Sequence, residues 1–202
     1  MPSTRNSNRP SQQKESPDGR DLLILELQEI HSAESQLSQI LPRLGKSVDS
    51  DALREQLDAR IEEGERVLKD VDAALQQLDA SPGRKKNVAA EGLINDAREH
   101  VQEIATGPGL DAVLIGALQK TEHYCIAAWG TAKALAEALG QKDAARSMER
   151  AIKEGKSFDE ELTELAEKEI TPALLSQGSA EDQGTGGNRG RASKNGGERR
   201  AT

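Results

Sequence analysis

The chain has 202 residues, enough for one domain with tails and too few for two comfortable domains. It holds one Phe, one Tyr and one Trp, so its core must be built from Leu, Ile and Ala, which suit helices and leave a β-sandwich without its usual filling. The net charge is −8, yet residues 1–20 and 176–202 are each +2, leaving −12 for the middle; such a body repels phosphate and attracts cations.

Residues 1–20 are Ser, Asn, Gln, Pro and charge, and are expected to be a disordered tail. They contain no apolar segment, so neither a secretory signal nor a membrane anchor is expected. With Cys125 as the single cysteine, a reducing, cytoplasmic setting follows as the expectation. The folded domain is expected over residues 21–174.

The first predicted helix runs from about Asp21 to Leu44, with Gly45 as its C-terminal cap. Its apolar seam, Leu23, Leu27, Ile30, Leu37, Leu41 and Leu44, alternates steps of four and three, and the missing member is Glu34. The second runs from about Ser50 to Asp79 and stops at Ser81-Pro82-Gly83. It carries Glu62 and Glu65 three apart on one face, with Glu65 between Ile61 and Leu68 at the edge of the seam. A shorter amphipathic helix, Val88 to Ala105, follows.

The next long helix, about Leu110 to Leu139, has the seam Ile115, Leu118, Cys125, Trp129, Ala132, Ala136, Leu139, and its gap is Glu122. The last, about Lys142 to Ile170, is ended by Thr171-Pro172. Its seam reads either as Met148, Ala151, Gly155, Phe158, Leu162, Leu165, flanked by Glu154, or as Met148, Ile152, Gly155, Asp159, Leu162, Ala166. Residues 175–202 form a second tail rich in Gly and Arg. Without aromatics to stack on bases, it reads as solubilising rather than as a nucleic-acid binder.

The connections between the four long helices are short, long, short. One long crossover in the middle is the ferritin-like connection, whereas simple up-and-down bundles use short loops throughout. The expected fold is therefore an all-α, ferritin-like four-helix bundle with a helical crossover between its second and third long helices. Glu is almost never fully buried unless something pairs with it. Two such acids, Glu34 and Glu122, sit in matched mid-helix gaps of two equivalent helices and call for a shared internal partner. A divalent cation is the economical choice, and an oxygen-rich site suits iron or manganese.

The segments ELQEIHSAESQL, VAAEGLINDA, DAVLIGALQKTEHYCIAAWGTAKALAEALG and KSFDEELTELA resemble, in order, the YciE/YciF-type ferritin-like family of bacteria, over about residues 21–170. The resemblance implies a bundle with a di-iron site, naming as a ferroxidase, and a role in bacterial stress responses. It implies metal ligands at Glu34, Glu62, Glu122, Glu154 and Asp159, and sets Glu91 in the crossover as a structural acid. Relatives carry His where this chain has Glu65, Tyr at His31 and Glu at Cys125. One usual nitrogen ligand is thus missing, and His31, three residues before Glu34, is the candidate to replace it. The candidate metal set is Glu34, Glu62, Glu65, Glu122, Glu154, Asp159 and His31; no catalytic residue is assigned.

The functional expectation is a di-iron protein, with manganese as the alternative metal, that consumes O₂ or peroxide as a ferroxidase-like oxidoreductase and assembles as a homo-oligomer away from membranes. The competing expectation is a non-enzymatic helical-bundle stress protein that oligomerises or binds a partner, its internal acids forming only a polar network.

Overall fold

A computed structural model describes residues 16–177 of the chain. The expected disordered tails, 1–20 and 175–202, lie mostly outside those residues. Of the described parts, Gly19 and Arg20 open the first helix and residues 175–177 are helical.

Five helices follow one another: α1 (Gly19–Leu44), α2 (Asp51–Gln77), α3 (Val88–Glu103), α4 (Pro108–Ala138) and α5 (Lys142–Leu165). Each start has a local cause. Asp18 and Asp21 form a reciprocal capping box at α1, and the Ser50 hydroxyl accepts from the Leu53 amide, 3.2 Å away, at α2. Asn87 Oδ1 accepts from the amides of Ala89 and Ala90 at α3, and Pro108 opens α4, where its missing N–H costs nothing. The sharp reversal from α4 to α5 passes through Gly140 at φ 70°, a left-handed conformation that a side chain would disfavour.

The helices α1, α2, α5 and α4 ring a common core, each packed against the next, and α3 lies across α1 and α4. This is the ferritin-like four-helix bundle with its helical crossover. Of the two seams available in α5, the buried one is Met148, Ala151, Gly155, Phe158, Leu162 and Leu165. The Thr171-Pro172 stop does not end that helix. Its last turn widens into a π-helical segment, Ala166–Ile170, and the chain stays helical through residue 177. The wider turn removes the need for the i→i−4 bond that Pro172 cannot donate.

Two polar residues join the layers. Asn87 donates to the Glu29 carbonyl at 3.1 Å and to the Tyr124 hydroxyl, while its own amide donates to Ser32 Oγ at 2.9 Å, so the crossover is pinned to α1 and α4. Asp111, buried in the first turn of α4, accepts from the backbone amides of Asp49 (3.0 Å) and Ser50 (2.8 Å). It thereby satisfies two donors at the start of α2. Asp111→Ala is expected to cost about 2 kcal/mol, because two part-buried amides lose their carboxylate acceptor, and to lower Tm by about 5 °C in calorimetry.

Candidate functional site

Mid-bundle, α1 and α4 turn Glu34 and Glu122 inward, with 1% and 2% of their surface exposed. Between them stands Arg60 of α2, itself 2% exposed. Its Nη1 and Nη2 donate to Glu34 Oε2 and Oε1 at 3.1 and 3.0 Å, and its Nε donates to Glu122 Oε2 at 2.7 Å. The planar fork thus grips one carboxylate with two parallel bonds and the second through its remaining edge. The guanidinium carbon lies 5.6 Å from the ring centre of buried Trp129, and Nη2 is 3.9 Å from Cys125 Sγ. The two facing carboxylates hold Arg60 firmly charged against its burial. Burial pushes the Cys125 thiol well up, so it is no ready nucleophile.

One turn beyond Arg60 on the same face, Glu63 is also buried, and its Oε1 has no hydrogen-bond partner. Loss of solvation raises its carboxyl to about 8; the pull of Arg60 opposes this, and Glu122, Glu154 and Glu34 add to it. Glu63 is therefore protonated at neutral pH. Burial also raises Glu122, against the attraction of Arg60. The internal network then carries one fixed positive charge facing two carboxylates, with a neutral acid beside them.

Two glycines make room for these acids. A Cβ on Gly155 of α5 would fall 2.4 Å from Glu122 Oε1 and 2.7 Å from Trp129 Cζ3, and one on Gly64 of α2 would lie 3.0 Å from Glu34 Oε2. Gly155→Ala should gain helix propensity worth up to about 1 kcal/mol yet lose more through overpacking, about 1–3 kcal/mol. A net fall in urea midpoint is expected, larger than for Gly64→Ala, whose approaches are looser at 3.0 Å to Glu34 Oε2 and 3.2 Å to Arg60 Nη1.

The remaining sequence candidates lie elsewhere. Glu62 and Glu65, expected on one face of α2 with Glu65 at the edge of its seam and named among the candidate ligands, are both exposed and are not brought to the buried cluster. The buried stripe there is Leu53, Leu57, Arg60, Glu63, Gly64, Val67 and Val71, and Ile61 is only half-buried. His31 sits at the seam edge and pairs outward with Asp72 at 3.3 Å, and Asp159 takes His123 at 3.0 Å and the Gln119 amide at 3.1 Å. Glu154 approaches Arg66 at 3.5 Å, and Glu91 pairs with Lys86. Arg60 and Glu63 were missed by the sequence reading. The signal for Arg60 was present: the four-three alternation continued from Leu53 and Leu57 lands on Arg60, Gly64, Val67 and Val71, and Glu63 lies next to it, one turn after Arg60.

Residues 18–175 match the family described as Domain of unknown function (DUF892). The chain belongs to that family. Protein YciF of Escherichia coli strain K12 is 36% identical over 147 residues, which cover 72% of this chain and 89% of YciF. The crystal structure of the E. coli stress protein YciF superposes with a TM-score of 0.73 at 34% identity, over 77% of this chain and 99% of that one. YcfI of Rhodopseudomonas palustris gives a TM-score of 0.69 at 32% identity, over 73% and 94% of the two chains. This is a YciF-type helical bundle. Among the described residues no helix is long and apolar enough to cross a membrane.

The ferritin-like kinship implies a di-iron pair between the long helices. The residues present do not fit one. The place a bridging ion would take, between Glu34 and Glu122, is filled by a guanidinium that uses both oxygens of Glu34 and one of Glu122. Arg60 does not give up its proton, and a dication beside it would be repelled.

Proposed function

We propose that this chain serves as a helical-bundle stress protein that acts by self-association or partner binding rather than by metal-centred turnover. The observation that carries the reading is the Arg60 guanidinium bonded to both inward carboxylates, which supplies the positive charge that a metal ion would otherwise bring. Association has a surface to use. Leu22 and Leu25 of α1 stand exposed beside a hollow lined by Ala127, Gly130 and Ala134 of α4. Knobs and hollow lie on one face, so a second copy related by a two-fold axis would bury both at once. Leu25→Glu is expected to shift the sedimentation mass toward monomer.

A second reading, a di-iron ferroxidase or peroxide-consuming protein, is favoured by the kinship and by one feature of the site: Oε1 of Glu63 and Oε1 of Glu122 are buried without a partner. The deciding experiment adds Fe(II) in air to the purified protein and follows ferric absorbance and bound metal. Oxidation no faster than in the buffer blank, with sub-stoichiometric metal, is expected. Rapid stoichiometric oxidation that Glu34→Gln and Glu122→Gln abolish would replace the first reading by the second.

A further inference from the structure

We infer that Arg60 is a resident substitute for a metal ion, and that removing its side chain converts the same carboxylate cluster into a site for one hard divalent cation. The inference rests on the reading above, in which the unaltered chain holds no metal at this place.

The geometry carries it in three steps. First, Arg60 is the cation to which both Glu34 and Glu122 are hydrogen-bonded, so truncating it frees three buried carboxylate oxygens at one point: both of Glu34 and Oε2 of Glu122. Second, two further oxygens in the cluster, Oε1 of Glu122 and Oε1 of Glu63, are already buried and unpartnered, so an ion reaches them without breaking a hydrogen bond, Glu63 releasing its proton to the solvent as it binds. Third, the donors come from three helices, α1, α2 and α4, and the missing side chains of Gly64 and Gly155 leave the room that Glu34 Oε2 and Glu122 Oε1 occupy, beside Arg60 and Trp129 respectively. Glu34 and Glu122 cannot be buried as bare anions, so the truncated site must take up protons, water or a cation. All-oxygen donors select hard ions such as Mn²⁺ over softer thiolate-seeking ones.

The test uses Mn²⁺ as the probe, because it is stable in air and its free form is read directly by electron paramagnetic resonance. Wild type, Arg60→Ala and Arg60→Gln are compared, with thermal unfolding followed by circular dichroism in chelator and in Mn²⁺. Wild type should show the same Tm in both and leave the Mn²⁺ signal unbound. Arg60→Ala should melt about 10 °C lower in chelator, regain about 5 °C or more in Mn²⁺, and bind one ion per chain. Adding Glu34→Gln and Glu122→Gln should abolish that gain.

Should Arg60→Ala fail to fold in chelator, its folding on addition of Mn²⁺ is the same positive result, and Arg60→Gln, which keeps hydrogen-bonding capacity without charge, gives an independent reading. The inference is overturned if neither variant gains stability or stoichiometric Mn²⁺, or if wild type binds Mn²⁺ with equal affinity. Failure of the functional reading is distinct: it appears as iron oxidation by the unaltered chain.

Discussion

Arg60→Met is expected to destabilise the protein by about 3–5 kcal/mol, lowering Tm by roughly 10 °C, while Arg60→Met combined with Glu34→Leu and Glu122→Leu returns it to wild-type stability or above. The single change leaves Glu34 and Glu122 with no cation in a site from which water is excluded. Each must then be protonated or hydrated at the expense of packing. The triple change removes the charges together and replaces them with side chains of similar size, avoiding the desolvation that the ion network had to overcome. Urea unfolding of the four states, with both carboxylate changes also made in the Arg60 background, measures the coupling directly. A single substitution with no cost would show that the guanidinium does not balance the two acids.

Glu63 gives the second large effect, and it appears as a dependence on pH. In the folded protein its carboxyl ionises at about 8, against an ordinary value of 4.5, because burial penalises the anion and Glu122 of α4, Glu154 of α5 and Glu34 of α1 repel it, while Arg60 only partly compensates. Between those two values the folded state binds the proton more tightly than the unfolded state. Stability is therefore fully present below about pH 4.5 and falls as pH rises through 8, at up to about 1.4 kcal/mol per pH unit. Glu63→Gln keeps the shape and removes the titration. The variant should match wild type within about 1 kcal/mol at pH 5 and exceed it by roughly 2–4 kcal/mol at pH 9. Parallel urea curves across that range make the comparison, and identical slopes for the two proteins would exclude a buried Glu63 as the cause.

The fold was readable because its cues were local. Apolar seams in α1 and α4, the Ser-Pro-Gly and Gly-Pro-Gly breaks, and one long middle connection define the bundle and its order. The burial of Glu34 and Glu122 was readable for the same reason: each interrupts an otherwise regular apolar seam. Their partner was hidden by the rule that exposed them. A reading that follows apolar residues steps from Ile61 to Leu68 and so selects the neighbouring stripe of α2, which brings Glu62 and Glu65 forward and leaves Arg60 and Glu63 aside. A charged residue at a core position is invisible to hydrophobic periodicity unless the search is for opposite charges in matched gaps. Gly64 and Gly155 could be located as small positions, but which atoms they accommodate depends on the packing of three other helices. Pro172 misled differently, since a helix can pass it by widening one turn.

A counter-charge that is part of the polypeptide arrives with translation. It needs no transporter or chaperone to deliver it, and no chelator or competing zinc or copper can strip it out. On the reading proposed above, the charge balance of this interior is the same in starvation for iron as in plenty. Glu34 and Glu122 come from two different hairpins, α1–α2 and α4–α5, but the guanidinium belongs to only one of them. The two halves of the bundle are thereby made unequal, and α2 is tied to α1 and α4 by a bond whose strength does not vary with the metal supply of the cell.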